Sequence, residues 1–168
     1  MTDTAAPTAP TPGHGAAEPA AARPRSGPTR EQLAAWRAFL RAHAAITRAL
    51  EAELVTEQDL SLASYDVLVQ LAEAPGRRLR MTELADAVLL SRSGVTRLVD
   101  RLEKAGLVSR CRVEGDGRGV AARLTESGVN RLRIASRTHL RGVTQHFVTR
   151  LEEADLHVLE RLTRQLAD

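Results

Sequence analysis

The chain has 168 residues, enough for one domain with a sizeable core. Only four residues are aromatic, so the core must be built largely from leucine, valine and alanine, which favours a helical fold. No apolar run is long enough to span a bilayer, and the N-terminus lacks the hydrophobic run of a secretory signal, so we expect a cytoplasmic protein. The single Cys111 permits no intrachain disulfide, which fits the same compartment.

The formal net charge is +3, and it is distributed unevenly along the chain. Residues 77 to 118 carry ten basic and six acidic side chains, so the positive excess peaks there. Attachment to nucleic-acid phosphates requires such an excess. The alternative is a solvated arginine-rich surface, because Lys104 is the sole lysine and an arginine bias can come from the coding composition of the genome.

The N-terminal part of the chain is predicted to be a tail followed by two helices. Residues 1 to 28 contain six prolines and little apolar bulk, so we expect them to be disordered. Thr29 and Gln32 fit a capping box, and the helix that follows should end near Thr56. Its apolar stripe consists of Leu33, Trp36, Leu40, His43, Thr47, Leu50 and Leu54. A second helix is predicted from about Ser61 to Ala74.

A pair of short helices is predicted next, after Arg78 and Arg80, whose guanidinium groups are candidate phosphate contacts. The first helix covers residues 82 to 89, with Thr82 as its cap. After a turn at Leu90, Ser91 caps the second helix, which Gly106 ends in a left-handed conformation. The spacing i, i+3, i+4, i+7 predicts that one face of this second helix is buried, through Val95, Leu98, Val99 and Leu102.

The opposite face of the second helix carries polar and cationic side chains. In helix-turn-helix proteins the first turns of this helix enter the major groove. Arginine can donate two parallel hydrogen bonds to guanine, and serine or threonine can bind base edges or phosphates. The candidate DNA-binding residues on this face are Arg92, Ser93, Thr96, Arg97 and Arg101. Asp100 lies on the same face but is not one of the candidates.

A β-hairpin is predicted after Gly106. Residues 107 to 113 and 119 to 124 are typical of two strands joined by a glycine-rich tip. Arg118 at the tip is shaped to enter a narrow minor groove, and Asp116 is placed to orient a nearby arginine. The alternative for this hairpin is an ordinary polar surface turn.

Two more helices are predicted to complete the chain. Thr125 can cap a long helix whose stripe contains Val129, Leu132, Ser136, Leu140, Val143 and Phe147. The last helix carries Leu156, Leu159, Leu162 and Leu166. Apolar faces at both ends of the chain with little to cover them predict a partner, the alternative being a monomer whose own helices pack together.

We predict no enzymatic activity, no cofactor and no metal. His139 and His146 lie seven residues apart and, with His43, suggest a metal site across a dimer, but no tight cluster at metal-ligand spacing accompanies them. Interface or surface histidines are the preferred interpretation. Ser91, Ser93 and Cys111 lack an identifiable base and orienting group for nucleophilic catalysis.

The motifs together resemble the MarR family of multiple antibiotic resistance regulators. The matching segments are residues 65 to 71, Leu84-Ala85, residues 91 to 108, Asp116-Gly117-Arg118 and residues 124 to 128. The resemblance runs from about Thr29 to the C-terminus and implies a mainly α, winged helix-turn-helix fold with a small β-hairpin wing. It divides the domain into dimerisation helices (29–60 and 125–168) and a DNA-binding region (61–124). Gly94 departs from the family pattern, which has a bulkier residue there.

The resemblance also implies a function. It implies a homodimeric repressor or activator that binds double-stranded DNA at a pseudo-palindromic operator, with two recognition helices roughly 34 Å apart. Many relatives release DNA when a small aromatic or phenolic molecule binds, and the candidate pocket residues here are Trp36, Phe39, His43, Tyr65 and Arg80. Two alternatives stay open, namely an interaction module without DNA binding and a redox response through Cys111, beside Arg110 and Arg112.

Overall fold

The computed structural model describes residues 27–113 and 116–167, with the side chains of residues 116–118 outside that description. The helices are α1 (Arg30–Gln58), α2 (Leu62–Glu73), α3 (Met81–Ala87), α4 (Arg92–Lys104), α5 (Glu126–His146) and α6 (Glu153–Ala167). The strands are β1 (Arg78–Arg80), β2 (Val108–Val113) and β3 (Asp116–Leu124). The predicted disordered tail lies outside the described residues except for its last two. None of the helices between residues 27 and 167 combines the length and apolar character needed to span a bilayer.

Helices α1, α2, α4 and α5 each begin after a residue whose side chain caps the helix, whereas α3 does not. The predicted capping box is confirmed, because Gln32 N donates to Thr29 Oγ1 at 3.2 Å and Thr29 N donates to Gln32 Oε1 at 2.8 Å. The predicted cap at Thr82 is wrong, since α3 begins at Met81 directly after β1. The Arg80 N–H donates instead to Glu83 Oε2 at 2.8 Å, so the carboxylate of Glu83 satisfies the start of this helix.

The core lies between α2, the two helices that follow it, and the sheet. Its fully buried side chains include Leu54 of α1, Leu68 and Leu71 of α2, Leu84 of α3 and Val99 of α4. With so few aromatic residues, branched aliphatic side chains fill this space, as the composition predicted. Burying them fixes α4 against the rest of the domain, and its polar face is left outside.

The sheet has three strands in the order β1-β3-β2, all antiparallel. The predicted hairpin is confirmed as β2 and β3, with β3 beginning at residue 116 rather than 119. The third strand, β1, was not predicted, and in it Arg78 lies opposite Arg123 and Leu79 opposite Ala122. A strand of three residues is too short to show an alternating pattern, so it forms because β3 offers it a pairing edge.

The long helices α1 and α5 pack closely through small residues. Gly142 of α5 is buried, and a Cβ there would lie 2.5 Å from Glu53 Oε2 and 2.7 Å from Leu50 Cδ2. The residues of the predicted apolar stripe of α5 do not all lie in one environment. Val129 and Leu132 pack against the core, whereas Leu140 is 60% exposed. Small side chains let the two helix axes approach, and this leaves the larger apolar residues of α5 available for other contacts.

Candidate nucleic-acid interface

Helix α4 is held by its buried face and by its N-terminal cap. The four predicted apolar residues are confirmed as buried, each at most 3% exposed: Val95, Leu98, Val99 and Leu102. Ser91 Oγ accepts a hydrogen bond from Gly94 N at 3.1 Å, as a cap should. A Cβ on Gly94 would lie 3.1 Å from the same oxygen, so glycine leaves the cap undisturbed.

The outward face of α4 presents every DNA-binding residue predicted on it. Arg92, Ser93, Thr96, Arg97 and Arg101 are all exposed. Within the part of the chain that the structure describes, Arg92, Arg97 and Arg101 have no ion-pair partner. Thr96 Oγ1 donates to the Arg92 carbonyl at 2.8 Å, so the lone pairs of this hydroxyl remain available to accept hydrogen bonds. Ser93 Oγ lies 3.2 Å from Ser91 Oγ.

Asp100 does not join that face, because it pairs with an arginine of the wing. Arg110 of β2 binds Asp100 Oδ1 through Nη2 at 2.6 Å and Glu103 Oε2 through Nη1 at 2.5 Å. Its backbone N–H also donates to Glu103 Oε1 at 2.9 Å, and Nη2 lies 3.3 Å from the Thr96 carbonyl oxygen. Arg110 is not among the predicted site residues, because its spacing of ten positions from Asp100 does not by itself indicate a contact between a helix and a strand.

The contact between Glu103 and Arg110 changes the pKa of the Glu103 carboxyl. The pKa of the Glu103 carboxyl is lowered from its ordinary value, first by the backbone N–H of Arg110 and then by its guanidinium. Arg110 therefore joins β2 to α4 through charge-assisted hydrogen bonds, and the orientation of the wing follows that of α4.

Arg78 and Arg80 lie on β1, at the side of the same domain. Arg78 is exposed and faces Arg123 of β3 across the strands, so two cations stand side by side. Arg80 is half-buried and lines a cleft of about 180 Å³ with Glu83 and Arg112. Arg112 lines the same cleft, and Arg123 lies opposite Arg78, so the strand pairing adds to this basic group two arginines that are not among the predicted site residues.

The wing itself is described only in part. The side chains of Asp116 and Arg118, predicted at its tip, lie outside the described residues. Cys111 lies on β2, half-buried, with its Sγ 3.7 Å from the Ala121 carbonyl oxygen. At the base of the wing, Thr125 Oγ1 donates to the carbonyls of Gly106 and Leu107 at 2.8 and 3.0 Å and accepts from Gly128 N at 3.0 Å.

The five residues predicted for a ligand pocket do not meet at one place. Trp36, Phe39 and His43 form a ladder on α1, with ring centroids 6.1 and 6.4 Å apart. Phe39 and His43 line an apolar cavity of about 620 Å³ against α6. Tyr65 is buried beside His139 at 4.5 Å between ring centroids, and Arg80 is on β1.

His146 of α5 contacts a carboxylate of α1. Its Nε2 lies 2.6 Å from Glu53 Oε1, between α5 and α1. Among the described residues, no group of three or more His, Cys, Asp or Glu side chains is arranged to hold a metal ion. His43, His139 and His146, weighed above as an alternative metal site, lie in separate contacts.

Apolar side chains are left exposed on three helices. The first half of α1 exposes Trp36 (56%), α5 exposes Ile134 and Leu140, and α6 exposes Leu162 and Leu166. No residue of α6 that the structure describes is buried. Such a surface on a single chain marks a site of interaction.

The amino-acid sequence is similar to those of known transcriptional regulators. The MarR family model matches residues 58–119. The chain is 30% identical over 140 residues to a putative transcriptional regulatory protein for the hcr operon of Thauera aromatica, covering 81% of this chain and 76% of that protein. It is 34% identical over 85 residues to the transcriptional regulator PecS of Dickeya dadantii, a match that spans half of the length of PecS.

A solved structure is similar over most of the chain. The MarR family regulator Sco3205 of Streptomyces coelicolor, in complex with DNA, superimposes with a TM-score of 0.79 at 35% identity, covering 85% of this chain and 90% of that one. The family model covers the segment that contains α4 and the start of the wing, and the structural match adds the helices on either side. The chain therefore belongs to the MarR family of winged-helix transcriptional regulators, which are not enzymes.

Proposed function

We propose that the chain acts as a homodimer that binds a pseudo-palindromic operator and represses its own or a neighbouring gene. The observation that carries the proposal is the outward face of α4, where Arg92, Arg97 and Arg101 are exposed and unpaired among the described residues. Unpaired guanidinium groups on a helix whose other face is anchored are suited to bind guanine edges and phosphates.

The polar side chains of α4 are assigned to different chemical groups of the DNA. Arg92 and Arg97 are assigned to guanine O6 and N7, because a guanidinium donates two parallel bonds. Thr96 uses its hydroxyl hydrogen on the Arg92 carbonyl, so its oxygen is assigned to accept from the amino group of adenine or cytosine. Ser93 is assigned to either a base edge or a phosphate.

Contacts to the DNA backbone are assigned to the arginines around the recognition helix. Arg78, Arg80 and Arg101 are assigned to phosphates, and such contacts add affinity without sequence preference. Arg118 at the wing tip is assigned to the minor groove, with Asp116 supporting it.

The homodimer is supported by the exposed apolar residues of α1, α5 and α6. A second copy has the same faces, so the two can cover each other around a two-fold axis. Two recognition helices then lie about one helical turn of DNA apart, roughly 34 Å, and the operator is an inverted repeat.

Control by a small aromatic or phenolic effector is proposed as the means of releasing DNA. The apolar cavity between α1 and α6, with Phe39 and His43 in its wall, supports it. A second groove of about 730 Å³ separates α1 and α2 from the α3–α4 turn, and Arg48 and Glu51 lie on its wall. A molecule in either place would shift helices that connect the dimer to α4.

Selection from a pool of random duplexes tests this function and identifies the operator in the same experiment. The proposal predicts enrichment of an inverted repeat whose half-sites are about one helical turn apart. An Arg97→Ala variant should enrich a relaxed version of it. Failure to enrich any sequence would favour the alternative, an interaction module that does not read DNA.

A redox response through Cys111 is the second alternative. The thiol is half-buried and directed at the Ala121 carbonyl oxygen. If peroxide weakens operator binding in the wild type and equally in Cys111→Ser, this alternative is removed.

A further inference from the structure

The turn between α3 and α4 contains a leucine in an unusual conformation. Leu89 has φ of 54°, in the left-handed region that glycine and asparagine adopt more readily than branched residues. Its side chain is 91% exposed, more than any other large apolar side chain between residues 27 and 167 that the structure describes. The residue thus combines backbone strain with the loss of apolar burial.

The strain does not come from packing of the leucine side chain. The turn is closed by backbone bonds from Leu89 N to the Asp86 carbonyl at 3.3 Å and from Leu90 N to the Ala85 carbonyl at 3.1 Å. Its neighbours Val88 and Leu90 face the groove against α1, whereas Leu89 points to solvent. A glycine would close the same turn with less strain, so a contact outside the chain is needed to account for leucine.

The position of Leu89 indicates what that contact is. It precedes the cap Ser91 by two residues, at the end of α4 that carries Arg92 and Ser93. This inference rests on the proposed function, in which that end of α4 enters the major groove. The apolar feature of the major groove is the C5-methyl group of thymine, which neither arginine nor serine reads.

We propose that Leu89 determines specificity by packing against the C5-methyl group of one thymine in each half-site of the operator. The contact buries both apolar groups and distinguishes thymine from cytosine, which lacks the methyl. Burial of one methyl-sized group corresponds to about a fourfold change in affinity.

Replacing thymine by deoxyuridine removes only that methyl group and provides the test. In an operator obtained by selection, each thymine is replaced in turn, and binding of the full-length protein is measured by fluorescence anisotropy. For the wild type, one thymine per half-site should show a loss of about fourfold on replacement. Leu89→Asn and Leu89→Gly should bind the thymine operator about fourfold more weakly per half-site and be indifferent to that replacement.

Two further variants separate the side chain from the backbone. Leu89→Met keeps an apolar side chain and should keep the sensitivity to the methyl group. Asp59→Gly is the matched control, because Asp59 also has positive φ (43°) but lies at the end of α1. It should behave as the wild type on every duplex. Leu89→Asn should also melt no lower than the wild type, since asparagine tolerates the left-handed conformation, and a lower Tm would contradict the strain argument.

The outcomes distinguish this inference from the function on which it rests. If Leu89→Asn retains the wild-type sensitivity to deoxyuridine at every thymine, while binding still depends on Arg97, then the assignment of Leu89 is wrong and the proposed function stands. If the wild type selects no sequence at all, both are overturned.

Discussion

Arg110 of the wing strand binds Glu103 of the recognition helix through both its backbone and its side chain, with the shorter contact at 2.5 Å. The same guanidinium reaches Asp100 one turn earlier on α4. A single residue therefore connects α4 and the wing, the two elements that are assigned to grooves of DNA. Its positive charge is paired with carboxylates of the protein.

Arg110→Met should weaken operator binding although Arg110 itself is not assigned to DNA. The substitution releases the wing from α4, so the two no longer approach the duplex in a fixed relation, and we expect a loss of roughly threefold to thirtyfold. Anisotropy titrations on the selected operator measure it. Arg137→Met, at an exposed position of α5, removes an equal charge outside α4 and the wing and serves as the control. Equal affinities for the two variants would contradict the positioning role.

Gly128→Ala should destabilise the fold at the base of the wing. The new Cβ would overlap the Leu107 carbonyl oxygen and lie 2.6 Å from Leu124 Cδ1, so the backbone must move. We expect a loss of about 1–3 kcal/mol in the free energy of unfolding, measured by urea denaturation. Gly94→Ala is the comparison, because its Cβ would lie 3.1 Å from Ser91 Oγ and 3.8 Å from Leu90 Cβ without overlapping the backbone, and helix propensity should offset the contact to within about 1 kcal/mol. A Gly128→Ala protein as stable as the wild type would show that the backbone adapts freely here.

Acid should weaken the contact between α1 and α5. The pKa of the Glu57 carboxyl is lowered by hydrogen bonds from Arg141 and then Thr138. Because the folded pKa lies below the ordinary value of 4.5, the contribution is fully present above pH 4.5 and is lost as the pH falls through the lower value. Unfolding followed from about pH 6 downwards at one protein concentration should show a shallower acid dependence for Glu57→Gln. Glu31→Gln, on the first turn of α1, removes a carboxylate of the same helix and is the matched control.

Charges placed on α6 should separate the proposed dimer. Leu162 and Leu166 are 44% and 78% exposed in the single chain, and the proposal buries them against a second copy. Leu162→Glu combined with Leu166→Glu would bury two unpaired carboxylates, so sedimentation analysis should find monomers. Lys104→Glu changes charge at the exposed end of α4 and should stay dimeric. A dimeric double variant would exclude α6 from the interface.

The elements with local signals could be predicted from the sequence. The stripe from Val95 to Leu102 and the caps at Thr29, Ser91 and Thr125 were all found as predicted, because each depends on residues within one or two turns. Strand β1 and the bonds of Arg110 were missed, since both depend on partners distant in the chain or on another element. Threonine is a usual cap residue, so the sequence predicts a cap at Thr82, but β1 runs directly into α3 and Arg80 occupies the N-cap position. The placement of Tyr65 away from Trp36 likewise follows from tertiary packing that periodicity does not contain.

The measurement that tests the central claim most directly compares the DNA affinity of the wild type with that of Arg97→Ala on two duplexes. Wild type and Arg97→Ala are titrated onto the selected operator and onto an unrelated duplex of equal length, each over a series of salt concentrations. If Arg97 reads a base, Arg97→Ala loses about 1–3 kcal/mol on the operator and little on the unrelated duplex, whereas Arg78→Ala weakens both alike and lowers the salt slope by about one. Equal losses for Arg97→Ala on the two duplexes would contradict sequence reading by α4.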